Sequence, residues 1–314
     1  MLLLYRGEIF DANFFYHAGI DLDHCFLLID NNKKILFTLK MNESLARDSF
    51  DGEVVVLDDP LATLKPYIKN KTVFVDEKKL TYNIAAGLKR FCKIKNHSAE
   101  LLKQRAVKKS DEVSKIHRAV KSTKEILASL DLKAAKTELD LKKQLLVASA
   151  EHGLEPAFDP IVSTDASTAY PHYTGGKRKL GSVVLIDFGV RYQHYCSDIT
   201  RCFILDGDRK KKKQYETLKN ICHTIIDELP NLKIGKNIAT FTEKQMKKAG
   251  FPKMLHSIGH GVGLDIHELP KLNSCSKDKI TNTTFAIEPA FYLKSYGMRY
   301  EETVYLKGNK SRIL

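Results

Sequence analysis

Residues 182–205 read SVVLIDFGVRYQHYCSDITRCFIL, which is two apolar, β-rich runs with one aspartate in each. Valine, isoleucine, phenylalanine and tyrosine favour strands, and two such runs separated by a short polar segment are typical of a β-hairpin. A turn centred between Tyr192 and Gln193 would place Asp187 directly opposite Asp198. The stretch therefore predicts an antiparallel hairpin that holds two acids side by side.

A second hairpin of the same kind is predicted from TFAIEP at residues 284–289 and MRYEETVYL at residues 298–306. A turn at Lys294-Ser295 would place Glu288 opposite Glu301. Opposed side chains in such a pair have Cβ atoms about 5 Å apart, so two carboxylates there repel each other unless a cation lies between them. Each hairpin therefore predicts a metal site, and the matched acids indicate an internal repeat.

Either hairpin alone leaves an alternative open, in which the acids face solvent and their register is fortuitous, because a turn can shift by one residue. A third segment adds weight to the metal hypothesis. Residues 256–270 read HSIGHGVGLDIHELP, with His256, His260 and His267 in a glycine-rich stretch. One neutral imidazole could bind a metal while the others polarise a carbonyl. Their spacing alone does not assign these roles.

Four acids and a histidine could together hold two divalent ions. Such ions, about 3.5 to 4 Å apart, activate water and polarise a carbonyl in many hydrolases. The sequence therefore predicts hydrolysis of a peptide bond. Carboxylate oxygens with one imidazole suit Mn²⁺ or Co²⁺ best, while Zn²⁺ and Fe²⁺ remain alternatives.

The order of β-rich and helical patterns predicts two domains. Residues 1–105 alternate short β-rich runs with helical patterns near 60–69 and 77–90, which indicates a small α/β domain. Residues 106–314 open with two helices, one capped by Ser110 and one opened by a capping box from Thr137 to Asp140. Paired strands flanked by helices follow, so this part is predicted to be an α+β domain.

Composition narrows the class of protein. The chain has 314 residues, of which 43% are hydrophobic and 28% charged, values typical of soluble globular proteins. No run approaches the roughly 20 apolar residues of a membrane span, so we expect a cytoplasmic protein with no membrane partner. Six cysteines without a CxxC pair indicate reduced, mostly buried thiols.

The net charge of +13 invites the hypothesis of a polyanion partner. The densest basic run, Arg209 to Lys213, precedes an apolar pattern of helical period that includes Leu218, Ile221 and Ile225. This order favours a solvated first turn of a helix. We therefore expect no nucleic-acid partner.

Five motifs resemble those of the pita-bread metallopeptidases, which include prolidase, X-Pro aminopeptidase and methionine aminopeptidase. They are Asp187-Phe188-Gly189, Ser197-Asp198-Ile199-Thr200-Arg201, Gly259-His260-Gly261-Val262-Gly263, Ile287-Glu288-Pro289 and Arg299-Tyr300-Glu301. They occur in the order of that family and span most of residues 110 to 306. The resemblance implies a creatinase/prolidase-like α/β N-terminal domain (1–105) and an α+β pita-bread catalytic domain with a pseudo-twofold repeat (106–314).

The resemblance also implies a ligand set for two divalent ions. Asp187 would chelate one ion, Asp198 and Glu301 would bridge both, and His260 and Glu288 would complete the second. Glu288 would in addition move the proton of the attacking water.

Further residues are implied to face the substrate. His172 and His267 are similar to the histidines of the family that contact the scissile peptide and the tetrahedral intermediate. His256 and Arg299 would line the same pocket.

Three segments are similar in sequence to the X-Pro branch of the family. They are the segment around Pro171-His172, residues 195–201 and the opening segment 11-DANFFYHAGI-20. That branch implies a short proline-containing peptide as substrate and a homodimer. We therefore expect an X-Pro dipeptidase. An X-Pro aminopeptidase acting on longer peptides is the alternative, and a non-catalytic pita-bread binding protein is a remote one, because such relatives typically lose metal ligands and all five are present here.

The chain departs from the family at three places. Glu302 and Ala290 stand where aspartate and glycine are common. Residues 269–280 offer only lysines where dipeptidases often place an arginine for the carboxylate of the substrate. Lys271, Lys277 or Lys279 is expected to take that place, with less rigid geometry.

Overall fold

A six-stranded sheet organises the N-terminal unit of the computed structural model, which describes residues 1–314. This unit comprises Met1–Arg105. Its strands are β1 (Leu2–Arg6), β2 (Cys25–Asp30), β3 (Lys33–Leu39), β4 (Glu53–Leu57), β5 (Thr72–Val75) and β6 (Lys93–Asn96). Its helices are α1 (Ala12–Ala18), α2 (Glu43–Ser49), α3 (Pro60–Ile68), α4 (Tyr82–Leu88) and α5 (Ser98–Ala106), with a short 3₁₀ turn at Lys40–Asn42.

The strand order is β4-β3-β2-β1-β5-β6, and the sheet is mixed. The pairs β3 with β4, β1 with β5 and β5 with β6 are parallel, as expected for strands joined through helices. Phe26, Phe37 and Leu64 are buried between the sheet and its helices. The α/β class predicted for these residues is therefore observed.

The second unit, Ala106–Leu314, opens with helices as predicted. Thr137 and Asp140 form the predicted capping box at the second of them, since each side chain accepts from the other's backbone N–H. The prediction that Ser110 caps the first helix is wrong, because Ser110 is the first helical residue. Lys109 is the cap, and its N–H donates to the Glu112 carboxylate (2.9 Å). The helices are α6 (Ser110–Ala128), α7 (Glu138–Glu151), α8 (Arg209–Leu232) and α9 (Gly235–Lys248).

Thirteen strands of this unit form three antiparallel sheets and a separate two-stranded ribbon. They are β7 (Glu155–Pro156), β8 (Ile161–Thr164), β9 (Val183–Phe188), β10 (Val190–Tyr192), β11 (Tyr195–Cys196), β12 (Ile199–Ile204), β13 (Gly259–Gly261), β14 (Glu268–Leu272), β15 (Thr283–Ile287), β16 (Ala290–Tyr292), β17 (Gly297–Arg299), β18 (Glu302–Lys307) and β19 (Lys310–Ile313). The sheets are ordered β11-β10-β7, β12-β9-β8 and β14-β13-β15-β18-β19, and β16 pairs with β17. A 3₁₀ turn at Asp165–Ala169 follows β8.

The first predicted hairpin exists, but its register differs from the prediction. The turn residues are Gln193 and His194, both with positive φ (48° and 70°), a two-residue turn whose twist matches that of the strands. Asp187 therefore pairs with Thr200, and the predicted pairing with Asp198 is wrong by two residues. A shift of two residues keeps the same face of the strand, so Asp198 stays on the side of Asp187 as a diagonal neighbour.

The second predicted hairpin has the predicted register. Ile287 pairs with Glu302 and Ala290 pairs with Arg299, which leaves Glu288 and Glu301 at matched positions between the strands. Its turn lies at Lys294-Ser295, closed by the Leu293 N–H on the Tyr296 carbonyl (2.8 Å).

The basic run lies in the first turn of α8, where Arg209, Lys210 and Lys212 are exposed and Leu218 and Ile221 on the other face are buried. The predicted solvated face is thus confirmed. All six cysteines are free thiols, and only Cys275 is exposed. None of the helices combines the length and apolar character that a membrane span needs.

Candidate metal centre

All nine residues predicted for the site line one cavity of about 520 Å³ in the second unit. They come from distant parts of the sequence, between residues 172 and 301. The nine residues are His172, Asp187, Asp198, His256, His260, His267, Glu288, Arg299 and Glu301.

Three of the four acids lie where the hairpins leave their regular ladders, and the fourth, Asp187, is paired within β9 close to such a break. Asp187 is near the end of β9, and Asp198 lies between β11 and β12. Glu288 follows β15, and Glu301 precedes β18. Gly189 permits the first of these breaks, because a Cβ at that position would lie 1.8 Å from the Ser197 carbonyl oxygen. Carboxylates at such interruptions can turn toward a common centre.

Ligand atoms of three residues converge closely. Those of Asp198, His260 and Glu301 all lie within 4.8 Å of one another. His260 Nε2 is 3.5 Å from Asp198 Oδ2 and 3.9 Å from Glu288 Oε1. The cluster therefore joins acids of both hairpins to the histidine segment.

The acids raise one another's pKa. Burial first, and then the charge of Glu301, hold the pKa of the Asp198 and Glu288 carboxyls well above their usual range. Burial and the charge of Asp187 raise the pKa of Glu301 to about 7. Like charges gathered in a buried site are costly without a counter-charge. A divalent cation would remove that cost.

Three histidines of the site, His256, His260 and His267, have a lowered pKa. Burial, with the nearby His267, lowers the pKa of His260 to about 4. Burial, with the charge of Arg299, lowers the pKa of His256 to about 4. Burial likewise lowers the pKa of His267. A neutral imidazole has the lone pair that a metal ligand needs.

Asp187 and Arg299 form an ion pair through Oδ2 and Nη2. The other oxygen, Asp187 Oδ1, is buried without a hydrogen-bond partner, and a buried polar atom of this kind calls for an explanation. A cation ligand supplies one. With its carboxylate oxygens, one imidazole and no thiolate, the donor set fits divalent ions that prefer oxygen and nitrogen.

Two residues of the site were missed from the sequence. Thr200 Oγ1 donates to Glu301 Oε2 (2.6 Å) and accepts from Arg299 Nε (2.8 Å), so it links both hairpins. The Tyr292 hydroxyl lies 2.8 Å from His256 Nε2. A correct register would have found Thr200 opposite Asp187, and the two-residue period places Tyr292 on the same face as Glu288.

The rest of the cavity lining combines four apolar residues, Phe158, Ile161, Pro171 and Ile266, with the polar Asp159, Thr174 and Ser257. The lysines expected to hold a substrate carboxylate, Lys271, Lys277 and Lys279, are exposed, and none lines the cavity. That expectation is therefore wrong. Lys271 is the exposed residue between the buried Pro270 and Leu272 of β14, and Lys277 and Lys279 are exposed residues of the segment after that strand.

The model of metallopeptidase family M24 matches residues 114–308, which includes both hairpins and the histidine segment. An uncharacterized peptidase of Methanocaldococcus jannaschii, MJ0806, is 33% identical over 68% of this chain, and the match covers 64% of that protein. A Xaa-Pro dipeptidase of Pyrococcus furiosus is 25% identical over 96% of this chain and 90% of its own length.

Among solved structures, X-Pro aminopeptidase from Thermotoga maritima MSB8 superposes with a TM-score of 0.87. The match has 26% sequence identity and covers 99% of this chain and 94% of that one. The predicted fold class, an α/β N-terminal domain with a pita-bread catalytic domain, is confirmed by this likeness.

Proposed function

Because this chain belongs to metallopeptidase family M24, we propose that it is a metal-dependent exopeptidase that cleaves the bond between an N-terminal residue and a following proline. We propose X-Pro dipeptides as its substrates. One observation carries the proposal: the five ligand-type residues and the four other predicted site residues line a single cavity.

The proposed ligand roles follow the resemblance. Asp187 would hold one ion, Asp198 and Glu301 both, and His260 and Glu288 the second. We propose two divalent ions per chain, Mn²⁺ or Co²⁺ before Zn²⁺ or Fe²⁺, because the donors are four carboxylates and one imidazole. When bound, the ions would supply the Lewis acidity that activates water and polarises the peptide carbonyl.

The side chains of the protein would perform the proton transfers. Glu288 has a raised pKa, so it can take a proton from the attacking water and pass it to the leaving proline nitrogen. His267 and His172 line the same cavity, and an imidazole N–H can donate to the developing oxyanion. His256 and Arg299 would position the substrate.

The shape and chemistry of the cavity support a short peptide that contains proline. A volume of about 520 Å³ is within the range of small-molecule sites. The apolar wall formed by Phe158, Ile161 and Ile266 offers a surface for a proline ring. Because the nitrogen of an X-Pro bond carries no hydrogen, the site needs no acceptor for it.

An X-Pro aminopeptidase that acts on longer peptides is the second candidate. It is favoured by the absence of lysines 271, 277 and 279 from the cavity wall and by the engagement of Arg299 with Asp187. The carboxylate of a dipeptide would then lack a cation from these residues. A longer peptide has no carboxylate at that position.

A metal-supplemented panel of Ala-Pro, Ala-Pro-Ala, Ala-Ala and Pro-Ala tests both candidates. We expect release of alanine from Ala-Pro and little from Ala-Ala or Pro-Ala, measured by amino-acid analysis. A higher kcat/KM for Ala-Pro-Ala than for Ala-Pro would establish the second candidate. Release from none of the peptides would leave the non-catalytic binding protein.

Three expectations from the sequence also stay proposals. They are a homodimer, a cytoplasmic location, and a division of labour in which residues 1–105 form a creatinase/prolidase-like domain and residues 106–314 carry catalysis.

The raised carboxyl pKa values predict how pH affects the stability of the metal-free protein against unfolding. The pKa of Glu301 is about 7 in the folded chain against a usual 4.5, so the folded state binds more protons than the unfolded state between these values. The free energy of unfolding of the metal-free protein is therefore highest below about pH 4.5. It falls by on the order of a few kcal/mol as the pH rises toward 7. Thermal unfolding in chelator across this range measures the loss.

Two comparisons make this test specific. Mn²⁺ should restore the melting temperature most strongly at neutral pH, and Glu301→Gln should flatten the decline in the metal-free protein. A metal-free melting temperature that rises over the same pH range in both proteins would refute the proposed repulsion.

A further inference from the structure

We propose that Glu138, the first residue of α7, is a positioning residue that fixes the loop carrying His172. This inference rests on the substrate-facing role proposed above for His172. Glu138 is fully buried and does not line the cavity. Its effect on the reaction would therefore be transmitted through the loop.

The Glu138 carboxylate accepts from one backbone N–H and two side-chain hydroxyls around that loop. Oε1 accepts from the Thr164 N–H at the end of β8 (3.0 Å) and lies 2.8 Å from the Ser167 hydroxyl. Oε2 lies 3.3 Å from the Tyr173 hydroxyl. Tyr173 directly follows His172, so the last contact holds the loop next to the functional residue.

Backbone hydrogen bonds hold the far end of the same loop against the start of α7. The Glu138 N–H donates to the Arg178 carbonyl (3.0 Å) and the Leu139 N–H to the Gly176 carbonyl (2.9 Å). Gly175 has φ of 79°, and a Cβ there would lie 2.9 Å from the Val162 carbonyl. The loop is thus attached on both sides of His172.

His172 itself is exposed. An exposed ring is not held by packing around it, so its position depends on the backbone on either side. The Tyr173 contact with Glu138 therefore attaches the residue directly next to the imidazole that would touch the substrate.

Stabilisation of the helix N-terminus does not by itself explain why Glu138 is a buried acid. A carboxylate at the start of a helix is favoured by the helix dipole, but an exposed one would serve equally. Burying a carboxylate costs several kcal/mol, and the donors around Glu138 are all neutral. The buried acid provides acceptor oxygens on two sides, which a neutral side chain of this size does not, because the amide of glutamine replaces one oxygen by a donor.

Glu138→Gln is the informative variant, because it keeps the shape and turns one acceptor into a donor. We expect kcat/KM on Ala-Pro to fall by about 10- to 100-fold, the scale of a misplacement near 1 Å, with bound metal unchanged. Asp140→Asn is the matched control. It changes an acid in the same helix turn that is hydrogen-bonded to Lys136 and Thr137 and does not contact Thr164, Ser167 or Tyr173, so activity should stay within about twofold.

A double mutant separates positioning from general damage. In a His172→Ala background, Glu138→Gln should reduce kcat/KM by less than about twofold, because the residue it positions is gone. The same fractional loss in both backgrounds would overturn the proposal. If Glu138→Gln does not fold, Tyr173→Phe removes a single contact and should give a smaller loss with the same dependence on His172.

Trypsin gives a readout that needs no peptidase activity, because Lys177, Arg178 and Lys179 in the same loop are exposed. Glu138→Gln should be cut after these residues several times faster than wild type and Asp140→Asn at equal protein concentration. Unchanged cutting would overturn the proposal. If wild type hydrolyses no X-Pro peptide, the proposed function fails, while the trypsin comparison still decides whether Glu138 fixes the loop.

Discussion

Replacement of Asp198 by alanine should reduce hydrolysis of Ala-Pro by more than about 100-fold, the upper end of what loss of an outer-shell partner costs a metal site. Asp198 is buried, and its ligand atom lies within 4.8 Å of those of His260 and Glu301. Since it is proposed to bridge both ions, its loss should also reduce the bound metal. Metal analysis of the purified variant measures this directly.

Loss of metal must be distinguished from loss of fold. Removing one of four crowded carboxylates relieves repulsion, so the metal-free Asp198→Ala protein should melt no lower than metal-free wild type. Asp206→Asn is a suitable control, because Asp206 follows the same hairpin but forms a surface ion pair with Lys211 (2.8 Å). Two bound ions per chain in Asp198→Ala would contradict the bridging role.

Glu288→Gln should lower kcat by about 10²- to 10⁴-fold, the usual contribution of general acid–base catalysis. The amide retains one oxygen but cannot accept the proton of the attacking water. Glutamine has nearly the same shape as glutamate, so the side chain should keep its place in the cavity. Steady-state kinetics on Ala-Pro, together with metal analysis, would show whether chemistry or metal binding is affected.

The kcat and the metal content of Glu288→Gln together decide the role of this residue. A fall in kcat with metal content retained supports proton transfer by Glu288. A kcat within about threefold of wild type would mean that another group moves the proton.

Glu302 and Ala290, the departures from the family, are accommodated locally. The Glu302 carboxylate pairs with Arg201 (2.5 Å) and Lys124 (3.2 Å) and accepts from the Tyr300 hydroxyl (2.8 Å). Ala290 is buried in β16 opposite Arg299, an extended position that any small residue can occupy. Neither change displaces a ligand residue from the cavity.

Local sequence patterns were enough to predict that both hairpins exist, but not the register of each. Both could be predicted, because alternating β-rich runs and polar turns are local signals. The second register was correct, while the first was wrong, because Gln193-His194 is not a typical sequence for a turn with two positive φ values. The error kept the same face, so the prediction that the acids converge was unaffected.

Contacts between distant segments could not be predicted in the same way. The bond from Thr200 to Glu301 joins residues about a hundred positions apart, and the tie from Glu138 to Tyr173 joins a helix to a loop. Neither contact could be predicted from a hydrophobic period or from the sequence of a turn. The prediction for Lys271, Lys277 and Lys279 failed for the same reason, since a residue lines the cavity only if the tertiary fold brings its segment there.

Hydrolysis of Ala-Pro by metal-free protein titrated with Mn²⁺ tests the central claim most directly. The proposed site predicts no release of alanine in chelator and activity that saturates as about two ions bind per chain. Hydrolysis that is insensitive to chelator, or no hydrolysis with Mn²⁺, Co²⁺, Zn²⁺ or Fe²⁺, would contradict it.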